Sequence, residues 1–194
     1  MNVAPMGPKI GRQPGRFLLR PYRTSTTYRN LKDCGEGVLH VTDDVLLIAQ
    51  AAIGILPVPA SRPAERINGR VLLTTGRYLE FRVIELDDRT ERTTIEIEAV
   101  AQGVLTDLFG LNRAKHAVIE AAILATRLDF LPIDEILDDF KRLAIPVDKT
   151  GGADERLAFG VLLDRIQDHA RSVQLSARSS EDPILHCFPG EALP

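Results

Sequence analysis

The sequence predicts an α+β protein, strand-rich in its N-terminal part and helical beyond Gly110. Three observations carry this. Apolar residues recur with a period of two from Tyr78 to Ile84 and again from Thr93 to Val100, the repeat of half-buried strands. After Gly110 the spacing becomes helical. Two short helices, each with its own start and stop signals, interrupt the strand-rich part.

The elements follow in order. Arg16 to Arg20 and Gly37 to Val41 read as strands. A helix is expected from near Ser25 to Gly35. Another follows Thr42 as N-cap, with Asp43 and Asp44 in its first turn, and stops at Gly54. Pro57 to Pro63 reads as a loop. Leu79, Phe81 and Val83 share one strand face and Glu80 and Arg82 the other; Ile95, Ile97 and Ala99 oppose Thr94, Glu96 and Glu98 in the next. The polar stretch Leu86 to Arg92 joins these two strands as an antiparallel hairpin. Asn112 to Phe130 is an alanine-rich helix. A second helix opens at Pro132 and buries Ile133, Ile136, Leu137, Phe140 and Leu143. Ile145 to Gly152 reads as a linker. A third helix, Asp154 to Ala170, turns Ala158, Val161, Leu162 and Ile166 inward, and the chain from Ser172 lacks periodicity. The expected divisions are 1–108, 109–171, and a flexible tail over 172–194.

Composition narrows the function classes. With 194 residues, 44% of them hydrophobic, the chain can build one substantial domain or two small ones sharing a core. A formal charge of −3 argues against general nucleic-acid binding. Cys34 and Cys187 form neither a metal-ligand spacing nor a disulfide framework, which favours a reducing, cytoplasmic setting. No secretory signal is legible, and the longest apolar stretch, from Val45, is broken by Gln50, Gly54 and Pro57, so no membrane span is expected.

Several segments could carry chemistry. In Arg20 to Asn30 (RPYRTSTTYRN), Thr24, Ser25, Thr26 and Thr27 stand at a helix start flanked by Arg20, Arg23 and Arg29. Free N–H groups, hydroxyls and guanidinium groups together suit a phosphate monoester; an ordinary Ser/Thr cap beside solvated arginines explains the same residues. On the helix after Asn112, Arg113, His116, Glu120 and Arg127 form one narrow polar stripe on an otherwise apolar cylinder. The stripe is expected to be buried or to face a ligand, with an open, solvated stripe as the alternative. Val3 to Gly7 (VAPMG) permits close approach of a flat ligand to the backbone, or is a plain strand end. Asp148 to Gly152 (DKTGG) lacks the rest of a P-loop. His186 and Cys187 are adjacent but make no metal site, and none is expected elsewhere.

Taken together, these segments resemble one family, domain-of-unknown-function family 447. The resemblance rests on NVAPMGP from Asn2, RPYRTSTTYRNL from Arg20, GVLHVTDD from Gly37, YLEFRV from Tyr78, NRAKHAVIEAAILATR from Asn112 and DKTGG from Asp148. It implies an FMN-binding split β-barrel followed by a C-terminal three-helix domain, with FMN as cofactor and a homodimer that holds the flavin near its interface. It also implies that Arg23, Thr24, Ser25, Thr26 and Thr27 hold the phosphate and that Ala4, Pro5, Met6 and Gly7 lie along the isoalloxazine ring. Asn112, Arg113 and Lys115 match the family's polar helix start and join the cofactor-binding candidates. Members of the family carry a further strand ahead of the NVAPMGP stretch, which here stands at Asn2; the expectation is a longer native N-terminus or a missing edge strand.

The function implied is a flavin-dependent oxidoreductase of unknown small-molecule substrate, in which FMN supplies the redox chemistry and His116 is the candidate proton donor. The alternative is a flavin-binding module without turnover: a carrier, sensor or accessory protein, which the resemblance links to tetrahydromethanopterin-type one-carbon metabolism. A third reading is an interaction protein whose arginine-rich loop binds another phosphate.

Overall fold

The computed structural model describes residues 1–10, 13–110 and 112–180. Its N-terminal part is a split β-barrel. Five antiparallel strands run in the order β1 (Lys9–Ile10), β2 (Arg16–Leu19), β7 (Thr94–Val104), β6 (Arg77–Asp87) and β3 (Glu36–Val41). The expected hairpin is β6–β7. Ile95 and Ile97 are fully buried and meet Leu19, Phe81, and Tyr28 and Leu31 of α1 (Thr26–Cys34). Gly35 ends α1 in the left-handed conformation (φ 65°). Gly37 in β3 is fixed by packing: a Cβ there would stand 2.5 Å from the Phe81 ring.

Four local expectations are corrected in this part. The N-cap of α2 (Val45–Ala52) is Asp44, whose carboxylate accepts from Leu47 N–H; Thr42 instead accepts from Asp44 N–H. Asp43 and Asp44 therefore precede the helix. The loop from Pro57 contains β4 (Ser61–Pro63), which pairs with β5 (Arg70–Leu72), so its proline lies on a two-stranded ribbon where the ladder tolerates it. Glu80, expected on the polar face of β6, is fully buried. The loop after β4 folds over that face, and the Glu80 carboxylate accepts from Glu65 N–H (2.9 Å) and Arg66 N–H (2.7 Å).

The second core is helical. It joins α3 (Arg113–Ala125), α4 (Ile133–Thr150) and α5 (Ala153–Ser180) with α2, which the strand-rich part contributes. Asn112 caps α3, accepting from Ala114 N–H and Lys115 N–H. The helix stops at Ala125, short of Phe130, where Thr126 turns its hydroxyl back onto Ile123 C=O.

The expected linker over Ile145 to Gly152 is mostly helix: α4 continues through Pro146 to Thr150. Buried Val147 anchors that last turn, the Thr150 hydroxyl donates to Pro146 C=O, and it accepts from Ala114 N–H. Tertiary contacts thus override the proline. Helix α5 also outruns its expected end, reaching Ser180. Val173 and Leu175 are exposed there, so the final turns extend an already nucleated helix with no apolar face to signal them. Residues 181–194, with His186 and Cys187, lie outside the described residues. No helix among the described residues is long and apolar enough to cross a membrane.

Candidate functional site

The start of α1 is built by its neighbours. The tip of the β6–β7 hairpin runs beside residues 21–23: Thr93 N–H and its hydroxyl both donate to Pro21 C=O, and Arg23 N–H donates to Glu91 C=O at 2.9 Å. Ser25 N–H then donates to Tyr22 C=O, and the Ser25 hydroxyl caps the helix by accepting from Tyr28 N–H at 3.1 Å. Thr26 and Thr27 occupy the first two helical positions, whose N–H groups have no acceptor within a helix. Their hydroxyls accept from the Arg29 guanidinium (3.3 Å) and from Asn2 Nδ2 (3.1 Å). Thr24 and the guanidinium groups of Arg20 and Arg23 are exposed, and neither arginine forms a side-chain hydrogen bond or ion pair among the described residues.

The Asn2–Thr27 bond ties the N-terminal segment to this helix start. Ala4, Pro5 and Gly7 are exposed, while Met6 packs onto the barrel core. A Cβ added to Gly7 would meet nothing within 4 Å, so the backbone there borders open space. The structure therefore ties Asn2, at the head of the segment that leads into Ala4 to Gly7, to Thr27, next to the free N–H groups and cationic charge of the α1 start. Such a surface fits a flat ring system that ends in a phosphate.

Sequence reasoning missed the residues that hold α1 in place. Tyr28 OH donates to Asp88 at 2.6 Å, and Lys32 Nζ donates to Asp88 (2.8 Å) and to Tyr28 OH (3.0 Å). The bonds from Lys32 and then from Tyr28 hold the Asp88 carboxyl below its ordinary range, and Asp88 in turn raises the Lys32 ammonium above its own. Arg92 lies over the Tyr22 ring, 5.0 Å from its centroid. Asp88 and Arg92 come from the hairpin tip, which reads in sequence only as a polar turn.

The remaining candidates belong to the helical core. Asn112 is a cap. Lys115 is a bracket: its ammonium donates to Asp43 C=O at 2.7 Å and pairs with Glu155 (3.2 Å) and Asp43 (3.6 Å). Burial pushes the Glu155 carboxyl up, but the Gly152 N–H and the Lys115 ammonium outweigh it and leave the pKa lowered. Arg113, His116, Glu120 and Arg127 are all exposed, which corrects the burial expected for this stripe. Five alanines of α3 (Ala114, Ala117, Ala121, Ala122 and Ala125) are buried, and the helix packs against α2, α4 and α5. Those close neighbours cover almost the whole cylinder, so the narrow polar stripe is the strip left open. His116 sits in a shallow groove with Arg113, Glu120, and Leu143 and Pro146 of α4. No cluster of metal-ligating side chains occurs among the described residues.

Fold and site together define a split-barrel protein with an anion-receptive helix start and a fused helical domain. Over residues 1–106 the chain matches the family model described as Protein of unknown function (DUF447) N-terminal domain, and over residues 112–169 that of Protein of unknown function (DUF447). The chain belongs to this family. Its fold is similar to that of an FMN-bound protein of the same family from Methanosarcina mazei, at 20% identity and a TM-score of 0.76, covering 84% of this chain and 87% of that one. More distant is a 2-nitrobenzoate 2-nitroreductase from Pseudomonas fluorescens, at 15% identity and a TM-score of 0.44, covering 53% and 57%. So is component B of a nitrilotriacetate monooxygenase from Bacillus cereus, at 15% identity and a TM-score of 0.41, covering 49% and 57%. No curated protein matches the chain.

Proposed function

We propose that this protein binds FMN at the start of α1, as a homodimer, and acts as a flavin-dependent oxidoreductase on a small molecule. The observation that carries the reading is the Asn2–Thr27 bond, which anchors the N-terminal segment, with its open Gly7 backbone, to the helix start where the N–H groups of Thr26 and Thr27 are unpaired. Those N–H groups and the Arg23 guanidinium bind the phosphate. Thr24 adds a hydroxyl, and Ser25 holds the helix start in shape. Ala4 to Gly7 orient the ring. When bound, FMN supplies the redox chemistry. The FMN-bound relative supports the cofactor; the substrate stays unassigned.

A second reading, a flavin-binding module without turnover, is favoured by one observation. His116, the candidate proton donor, lines a groove with Leu143 and Pro146 of α4, whereas Met6 of the Ala4–Gly7 segment packs onto the barrel core. Titration with FMN followed by flavin absorbance tests the shared claim, and a spectrum unchanged from free FMN overturns both readings. Anaerobic addition of a reduced nicotinamide, then of candidate acceptors, separates them: reduction followed by acceptor-dependent reoxidation supports the oxidoreductase, and bound flavin that does not cycle supports the module.

A further inference from the structure

Helix α3 carries a charge pattern that nothing among the described residues uses. Some charges on α4 and α5 pair within their own helix: Lys141 with Asp138, Arg142 with Asp139, Arg171 with Asp168. Lys115, on another face of α3, has two carboxylate partners. Arg113, His116 and Glu120, by contrast, form no side-chain hydrogen bond or ion pair among the described residues, although they line one groove.

Their spacing is self-complementary. Seven residues are two helical turns, so Arg113 and Glu120 lie on one line about 10 Å apart along the axis. They are too far apart to pair within the helix. If a second α3 lies antiparallel on the first, centred between His116 and Ala117, Arg113 of each copy falls opposite Glu120 of the other. Helices packed about 8–10 Å apart place a guanidinium within reach of a carboxylate across the gap. Leu143 and Pro146 supply an apolar wall on either side of that centre, and exposed Ile123 extends the stripe.

We propose that the Arg113–His116–Glu120 stripe is a contact surface for a second copy of this chain, packed α3 against α3 about a twofold axis between His116 and Ala117. A twofold contact is isologous, so one patch must complement itself, and a stripe with a cation at one end and an anion at the other does so. The inference deepens the homodimer proposed above and does not depend on flavin binding.

Charge reversal tests it by sedimentation velocity. Arg113→Glu alone and Glu120→Arg alone each set like charges against each other at both ends of the contact. Each is expected to raise the dimer dissociation constant about tenfold or more. The double variant Arg113→Glu/Glu120→Arg restores opposite charges and is expected to dimerise like the native chain. An equimolar mixture of the two single variants is expected to form mixed dimers, because each copy then supplies what the other needs. Both positions are exposed, so thermal unfolding reports that the variants are folded. Single variants that dimerise like the native chain, or a double variant that does not recover, overturn the α3 contact while leaving a homodimer through another surface. A native chain that stays monomeric at about 100 µM overturns the contact and the homodimer together.

Discussion

His40 shows how one side chain joins the small ribbon to the barrel. Its Nε2 accepts from Leu72 N–H at 2.9 Å, which requires the neutral ring, and burial pushes its pKa down from 6.5 to about 4. The folded state therefore resists a proton that the unfolded chain takes up near pH 6.5. The stabilisation is complete above that pH and is lost as pH falls towards 4. Allowing for partial solvent access, we expect the native chain to lose about 1–2 kcal/mol more between pH 7 and pH 4.5 than a His40→Gln variant, whose amide oxygen can take the same N–H. Urea unfolding at the two pH values measures this, and parallel losses would remove His40 as the cause. Nothing in the spacing of Gly37 to Val41 reveals the role, because the partner, Leu72, lies on a ribbon absent from the periodicity.

At the scale of elements, local signals were legible where local chemistry decides. Ser25 and Asn112 cap the helices they precede, Gly35 ends α1, and the alternation of β6 and β7 fits their hairpin. The signals failed where distant residues decide. Glu80 reads as an exposed strand residue because the two N–H groups that bury it arrive from the loop after β4. The stripe of α3 reads as buried because the sequence does not show how completely α2, α4 and α5 surround the alanines. Pro146 reads as a helix breaker, yet α4 passes through it. That helix lacks the N–H that would bond Arg142 C=O. Replacing Pro146 with alanine supplies this N–H and should stabilise the protein by about 1–2 kcal/mol after the entropy returned to the unfolded chain. Chemical denaturation checks it; a destabilised variant would mean that the proline ring's packing outweighs the missing bond.

For the molecule as a whole, the barrel must be held to the helical domain. Lys115 is one fastener, since its ammonium reaches the start of α2 through Asp43 and the start of α5 through Glu155. Replacing Lys115 with methionine leaves two carboxylates unpaired in a mostly covered position and should cost about 2–4 kcal/mol; an unchanged unfolding midpoint would show that apolar packing alone joins the parts. The six sequence segments that resemble the family fall on both sides of this junction, and the matching family models likewise cover both. The hairpin tip that steadies α1 through Asp88 and Arg92 was not legible, because only the fold brings residues 87–92 to residues 21–32. The most direct test compares FMN with riboflavin, which lacks the phosphate, by quenching of flavin fluorescence on the native chain and on an Arg23→Ala/Ser25→Ala variant. We expect the native chain to bind FMN at least about tenfold more tightly than riboflavin, and the variant to lose roughly 1.5–3 kcal/mol of FMN affinity while riboflavin binding changes little. Equal affinities for the two flavins, or an FMN affinity untouched by the variant, would contradict a phosphate site at the start of α1.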